Sequence, residues 1–83
     1  MKKSIVFRDQ AKADVRSIDR ENAIAILHGI ARFAATNEGD VKRLKDVTPV
    51  EYRLRVGDYR VRFYDDGDSI LVPAVRHRRE AYR

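Results

Sequence analysis

The stretch EYRLRVGDYRVRFYDDGDSILVPAV, residues 51–75, decides the fold. Apolar and polar residues alternate along it in three runs, and the breaks between the runs fall at Gly57-Asp58 and Asp66-Gly67. A period of two residues is typical of a β-strand with one buried face, and Asp-Gly is a strong signal for a tight hairpin turn. The stretch therefore predicts a three-stranded antiparallel meander.

The two turns also predict the register of the meander. With a two-residue loop at each break, one set of alternate positions is apolar in all three strands. The predicted apolar pairs are Val56 with Tyr59, Leu54 with Val61 and Tyr52 with Phe63 in the first hairpin, then Phe63 with Ile70, Val61 with Val72 and Tyr59 with Ala74 in the second. Pro73 has no N–H to donate, so the last strand should lie at a sheet edge or bulge near its end.

The residues before the meander predict one strand and two helices. Residues 5–7 form a β-branched and aromatic run, and residues 9–16 a short helix. Residues 20–36 form an amphipathic helix that follows the N-cap Asp19 and ends at Asn37 and Gly39.

Leu27 and Ile30 of that helix should pack on the apolar face of the meander, and residues 41–50 should form a basic connector. The predicted class is α+β, with an N-terminal strand and a two-helix hairpin packed on a mainly antiparallel sheet. Residues 1–83 are expected to form a single domain.

Composition narrows the functional classes. The chain has 83 residues, 18 Lys and Arg, 13 Asp and Glu, a net charge of +5 and no cysteine. Most of this excess lies in residues 41–83, with eleven basic and seven acidic residues. The absence of cysteine excludes disulfides and thiolate metal sites. With no long apolar run, leader segment, metal-ligand spacing or glycine-rich phosphate loop, the sequence predicts a cytoplasmic protein without cofactor, metal or membrane contact.

The predicted register places four arginines on the other face of the meander. Arg55 lies opposite Arg60, and Arg53 lies opposite Arg62. Like charges that face each other across an antiparallel pair destabilise it. The pattern therefore favours a site for a polyanion over an ordinary solvated face, and the planar guanidinium fork suits phosphate.

The C-terminal residues 76–83, RHRREAYR, extend the basic character. Basic residues with an aromatic ring suit single-stranded nucleic acid, although a tail of this kind can also be merely solubilising. His77 is a candidate proton acceptor or an ordinary exposed histidine, whereas His28 is expected to be structural or exposed. The further candidate RNA contacts are Arg62, Arg76, Arg79, Arg83, Lys42 and Lys45.

The hairpin YRLRVGDYRV, residues 52–61, and the ending VRHRREAY, residues 75–82, resemble the RelE/ParE superfamily of toxins. The resemblance implies a small RelE-like fold and a cognate antitoxin protein as partner. RelE-like toxins cleave mRNA on the ribosome, where the 2′-hydroxyl of the RNA attacks the adjacent phosphate. By this resemblance Arg60 and Arg78 hold the phosphate, Tyr82 stacks on a base, and Arg53 and Arg55 lie near the 2′-hydroxyl.

The chain departs from RelE itself, which carries lysines at the positions of Arg53 and Arg55. Arginine effectively cannot lose its proton, so His77 would act as the base or the site would work by electrostatics alone. Arg76 and Arg79 are alternatives to Arg78 as the tail residue. Two other functions stay open: a ParE-like toxin that inhibits DNA gyrase without cutting, and a plain nucleic-acid-binding domain. Fold alone cannot choose among them.

Overall fold

The computed structural model describes residues 2–44 and 48–81 and confirms the α+β class. The elements in chain order are β1 (Ser4–Phe7), α1 (Asp9–Ser17), α2 (Arg20–Thr36), β2 (Asp40–Arg43), β3 (Tyr52–Val56), β4 (Tyr59–Asp65), β5 (Ser69–His77) and α3 (Arg78–Ala81). The strands form one five-stranded sheet in the order β1-β5-β4-β3-β2. Only the β1–β5 pair is parallel.

Helix α2 has the ends that the sequence predicts. The Asp19 carboxylate accepts a hydrogen bond from the Asn22 backbone N–H at 3.2 Å, and Asn37 ends the helix in the left-handed conformation, with φ of 61°. Ile26, Ile30 and Phe33 lie on the buried face at spacings of four and three residues. Ile30 packs in the core as expected. The expectation that Leu27 packs on the meander is wrong, because Leu27 is 41% exposed. Leu27 lies one position beyond Ile26 and so points away from the sheet.

The core lies between α1, α2 and one face of the sheet. Its buried apolar residues are Ala11, Ile26, Ile30, Phe33, Ala34, Leu54, Val61, Phe63, Ile70, Val72 and Val75. Phe63 is the aromatic centre, with the Phe33 ring centroid 5.1 Å away and the Tyr52 ring stacked at 5.5 Å. Gly29 lets α2 approach β3 closely, since a Cβ there would lie 2.9 Å from Val56 Cγ2.

The first hairpin has the predicted register, and the second does not. Residues of β3 and β4 pair as expected, from Tyr52 with Phe63 to Val56 with Tyr59. In the second hairpin Asp65 pairs with Ile70 and the Asp66 N–H donates to the Ser69 carbonyl, so the loop residues are Gly67 and Asp68.

A β-bulge shifts the second hairpin again. Between the pairs Arg62–Ala74 and Tyr64–Leu71, Val72 and Pro73 of β5 face one residue of β4, Phe63. The predicted pairs Phe63 with Ile70, Val61 with Val72 and Tyr59 with Ala74 are therefore wrong, and Val61 pairs with Val75. The bulge that Pro73 predicts is present, although β5 lies between β1 and β4 rather than at an edge.

The expected connector at residues 41–50 is wrong in its first part, because Asp40–Arg43 forms the edge strand β2. Its sequence has one apolar residue, Val41, among charged ones. Charged side chains are typical of edge strands, where they discourage further strand pairing, and they hide the alternation that marks a strand. Across the described residues, no helix has both the length and the apolar character needed to cross a membrane.

Candidate nucleic-acid interface

The face of the sheet away from α2, here called the outer face, carries five arginines. Arg55, Arg60 and Arg76 occupy one row across β3, β4 and β5. Arg53 and Arg62 occupy the next row. The pairing of like charges predicted from the sequence is therefore present, and the tail adds a third arginine to the first row.

Two of these arginines are neutralised by buried carboxylates of the same chain. Arg62 Nη2 lies 2.6 Å from Glu51 Oε2, and Arg76 Nη1 lies 2.6 Å from Asp14 Oδ1. The sequence interpretation missed both carboxylates. Glu51 lies at an alternate position on the same face as Arg53, so the correct first-hairpin register could have pointed to it. Asp14 is 62 residues from Arg76, and no local pattern connects them.

Arg60 is the unusual member of the outer face. Its residue is only 5% exposed, and its Nε has no hydrogen-bond partner among the described residues. Nη1 makes one long contact, 3.4 Å, to the carbonyl of Tyr59. A buried charge without a counter-ion is costly, and so is a buried donor without an acceptor. An anion bound between Arg55 and Arg76 would remove both costs.

The tail brings Arg76, rather than Arg78, beside Arg60. Helix α3 contacts β4 and β5, and the Arg78 N–H donates to the Asp58 carbonyl at 2.7 Å. Arg78 Nε lies 3.8 Å from Asp58 Oδ1, at the β3–β4 turn. The exposed Arg79 donates its backbone N–H to His77 Nδ1 at 3.3 Å. Of the three tail arginines predicted as candidate phosphate contacts, Arg76 is the one that lies in the same row as Arg55 and Arg60.

His77 does not join the arginines. It pairs with Tyr59, and these two residues point to the same side as Val61 and Val75, the side of the core. The His77 ring meets the Tyr59 ring edge-on at 5.3 Å. A cavity of about 260 Å³ there is lined by Asp14, Ser17, Ile18, Tyr59, Val75 and His77. The imidazole is therefore separated from Arg60 by the sheet.

The remaining candidates fall in three places. Lys42 is exposed on β2 and lies opposite Arg53, so it extends the second row. His28 is exposed on α2, far from the outer face in the fold. Lys45, Tyr82 and Arg83 lie outside the described residues. Within residues 2–44 and 48–81, no three His, Asp or Glu side chains gather as metal ligands would.

The ParE toxin family, whose members are toxins of type II toxin–antitoxin systems of the parDE kind, matches residues 5–82. The chain belongs to this family. The resemblance seen in the hairpin and the tail is thereby confirmed. No curated protein gives a significant match to the chain.

Solved structures of related toxins share the fold of this ParE-family toxin. The RelB–RelE antitoxin–toxin complex from Methanococcus jannaschii matches with a TM-score of 0.77 and 25% identity, over 93% of this chain and 94% of that one. The RelE–RelB complex from Pyrococcus horikoshii OT3 has a TM-score of 0.76 and 20% identity, over 94% and 97%. The YoeB dimer from Staphylococcus aureus has a TM-score of 0.75 and 18% identity, over 93% and 98%.

The outer face of the toxin has the charge to attract an anion, but it offers no free proton acceptor among the described residues. No described carboxylate lies within 4.0 Å of the charged groups of Arg53, Arg55 or Arg60 as an ion-pair partner. The buried carboxylates of Glu51 and Asp14 form ion pairs with Arg62 and Arg76 instead. The arrangement suits charge stabilisation of a phosphate better than proton transfer.

Proposed function

We propose that this toxin is a ribosome-dependent mRNA endoribonuclease acting in the cytoplasm, with Arg60 as the centre of its phosphate site. The observation that carries the proposal is the buried Arg60 guanidinium, whose Nε lacks a partner among the described residues. A fold selected for stability alone would have paired or replaced this side chain. A phosphate oxygen is the partner that its geometry and charge fit best.

In the proposed cleavage reaction the RNA provides its own nucleophile, so the main contribution of the protein is positive charge. The 2′-oxygen of the RNA forms a bond to the adjacent phosphorus, and the bond from that phosphorus to the 5′-oxygen of the next nucleotide breaks. The 2′-hydroxyl proton passes to solvent, and the leaving oxygen takes a proton from solvent. In the transition state between these steps, negative charge develops on the phosphate oxygens, and fixed guanidinium groups stabilise that charge. Arg60 and Arg76 would hold those oxygens, with Arg53 and Arg55 towards the 2′-hydroxyl.

Electrostatic stabilisation by the arginines, rather than proton transfer to a histidine base, would accelerate the cleavage. His77 lies on the core side of the sheet, which argues against it as the base for a phosphate bound at Arg60. Tyr82 stays the expected base-stacking residue from the family resemblance, and Arg62, Arg78, Arg79, Arg83, Lys42 and Lys45 remain proposed secondary RNA contacts.

A cognate antitoxin is the proposed protein partner. Two of the similar structures are described as complexes of RelE with RelB, which supports the proposal. The toxin has a net charge of +5, so an acidic segment would cover the outer face, where it would compete with RNA. Ile24 and Leu27, exposed on α2, would suit the apolar side of an amphipathic antitoxin.

The test is inducible expression followed by mapping of mRNA 5′ ends. New ends within translated codons and growth arrest are expected for the natural chain, and both should be lost in Arg60→Gln. Arg32→Gln is the matched control, because it removes the same charge from an exposed ion pair on α2. Arrest with intact mRNA, or an Arg60→Gln variant that cleaves normally, would refute the proposal.

Gyrase inhibition is the second candidate. It is favoured by the match to the ParE family and by the absence of a described proton acceptor beside Arg60. Arrest with intact mRNA and inhibited supercoiling by purified gyrase would establish it in place of cleavage.

A further inference from the structure

Asp14, on α1, makes an unusual set of contacts for a residue that the family resemblance does not single out. It is buried, and its Oδ1 accepts from Arg76 Nη1 at 2.6 Å and from Gln10 Nε2 at 2.9 Å. Its Oδ2 accepts from the Val75 backbone N–H at 2.9 Å. One carboxylate thus fixes both the backbone of β5 and the side chain that follows it.

The position of this contact relates Asp14 to the phosphate site. Val75 anchors β5 in the core, while Arg76 emerges on the outer face directly opposite Arg60. Two unscreened guanidinium groups at paired positions repel each other. The Asp14 carboxylate offsets the charge of Arg76 and so lowers its repulsion from Arg60 at the paired position.

The ion pair leaves most of Arg76 available. Guanidinium has five N–H donors, and the contact to Asp14 is made by Nη1. The Arg76 side chain is still 37% exposed, so its other donors can meet a ligand from solvent. A free arginine would lose much conformational freedom on binding, whereas one already held by a carboxylate loses less.

We infer that Asp14 is the positioning residue of the phosphate site: it holds Arg76 so that the guanidinium groups of Arg76 and Arg60 converge on one phosphate. The inference rests on the phosphate site of the proposed function, but it does not require RNA cleavage. Asp14 touches no ligand itself and acts through Arg76.

The probe is inorganic phosphate, titrated into the full chain while the arginine Nε–H resonances are followed by NMR. In the natural protein the Arg60 and Arg76 resonances should shift together with a single Kd. Asp14→Asn keeps an acceptor for Val75 but loses the ion pair. It should weaken the phosphate Kd about tenfold, the equivalent of about 1.4 kcal/mol, and separate the two titrations.

The control is Asp68→Asn, which makes the same change in net charge at the exposed β4–β5 turn. It should retain the natural Kd. In an Arg76→Gln background, Asp14→Asn should have no further effect on the Kd, whereas a merely structural role would weaken it in both backgrounds. If Asp14→Asn does not fold, Arg76→Lys keeps the charge but lacks the fork, and it should show the same tenfold loss.

Three results would overturn the inference. They are phosphate binding by Asp14→Asn as tight as that of Asp68→Asn, natural affinity in Arg76→Lys, and no saturable phosphate binding in the natural chain. The last result would leave the cleavage proposal standing, because mapped mRNA ends test that separately.

Discussion

Replacing Arg60 with methionine should stabilise the protein and abolish its toxicity. The Arg60 residue is 5% exposed and its Nε has no acceptor among the described residues. An unsatisfied buried polar group costs about 1–3 kcal/mol, and methionine can fill much of the same space without it. Because about 1 kcal/mol shifts the Tm of a domain this size by about 4–8 °C, Arg60→Met should raise Tm by at least about 4 °C.

Arg62 gives a matched substitution with the opposite sign. It lies on the same strand and face, two residues away, but its Nη2 is 2.6 Å from the buried Glu51. Arg62→Met leaves that carboxylate without its partner and should lower the free energy of unfolding by about 1–3 kcal/mol.

Urea and thermal unfolding of both variants in phosphate-free buffer measure the two effects. Adding phosphate should raise the Tm of the natural chain and leave that of Arg60→Met nearly unchanged, because only a bound ligand stabilises by mass action. If Arg60→Met is destabilised as strongly as Arg62→Met, then Arg60 is part of the structural framework rather than of an anion site.

Three further predictions concern other parts of the molecule. Gly29→Ala should lower the free energy of unfolding by about 1 kcal/mol in urea, because crowding against Val56 outweighs the gain in helix propensity; a more stable variant would show that α2 can move away from β3. His77→Gln should retain mRNA cleavage in a ribosome assay, where loss of a general base would cost about 100-fold or more. Hydrogen bonds from the Ser69 and Asp68 N–H groups and the Ser69 hydroxyl hold the pKa of Asp66 below its ordinary value of 3.8. The ionised form of Asp66 therefore stabilises the fold above that value, and the contribution is lost as pH falls through the lowered pKa; a Tm difference between the natural chain and Asp66→Ala that stays constant on acidification would contradict this.

The first hairpin was predictable because its signals are local and agree. Gly57 adopts a φ of 57°, as a tight turn requires, and the apolar alternation continues on both sides of it. In the second hairpin, Asp66-Gly67 and Gly67-Asp68 are both plausible loops from sequence. The Asp66 side chain selects the second, since its Oδ1 accepts from the N–H groups of Asp68 and Ser69.

The sequence predicted which basic residues form the candidate site, but not which of them are buried or ion-paired. The predicted strand register places Arg53, Arg55, Arg60 and Arg62 on one face of the sheet. It cannot tell which of them is neutralised, because the partners come from distant segments. Asp14 meets β5 only after α1 has packed beside that strand, and the burial of Arg60 likewise depends on tertiary packing.

The bulge at Val72-Pro73 determines which way the end of β5 faces. If Val72 and Pro73 each paired with a residue of β4 of its own, the alignment that holds at Tyr64 and Leu71 would continue to the end of the strand. Val75 would then lie opposite Arg60 on the outer face, and Arg76 would lie opposite Tyr59 and point into the apolar interior. Deletion of one of these two residues should therefore close the bulge and leave Arg76 opposite Arg60, whereas regular pairing of both residues would turn the last arginine of the strand inward.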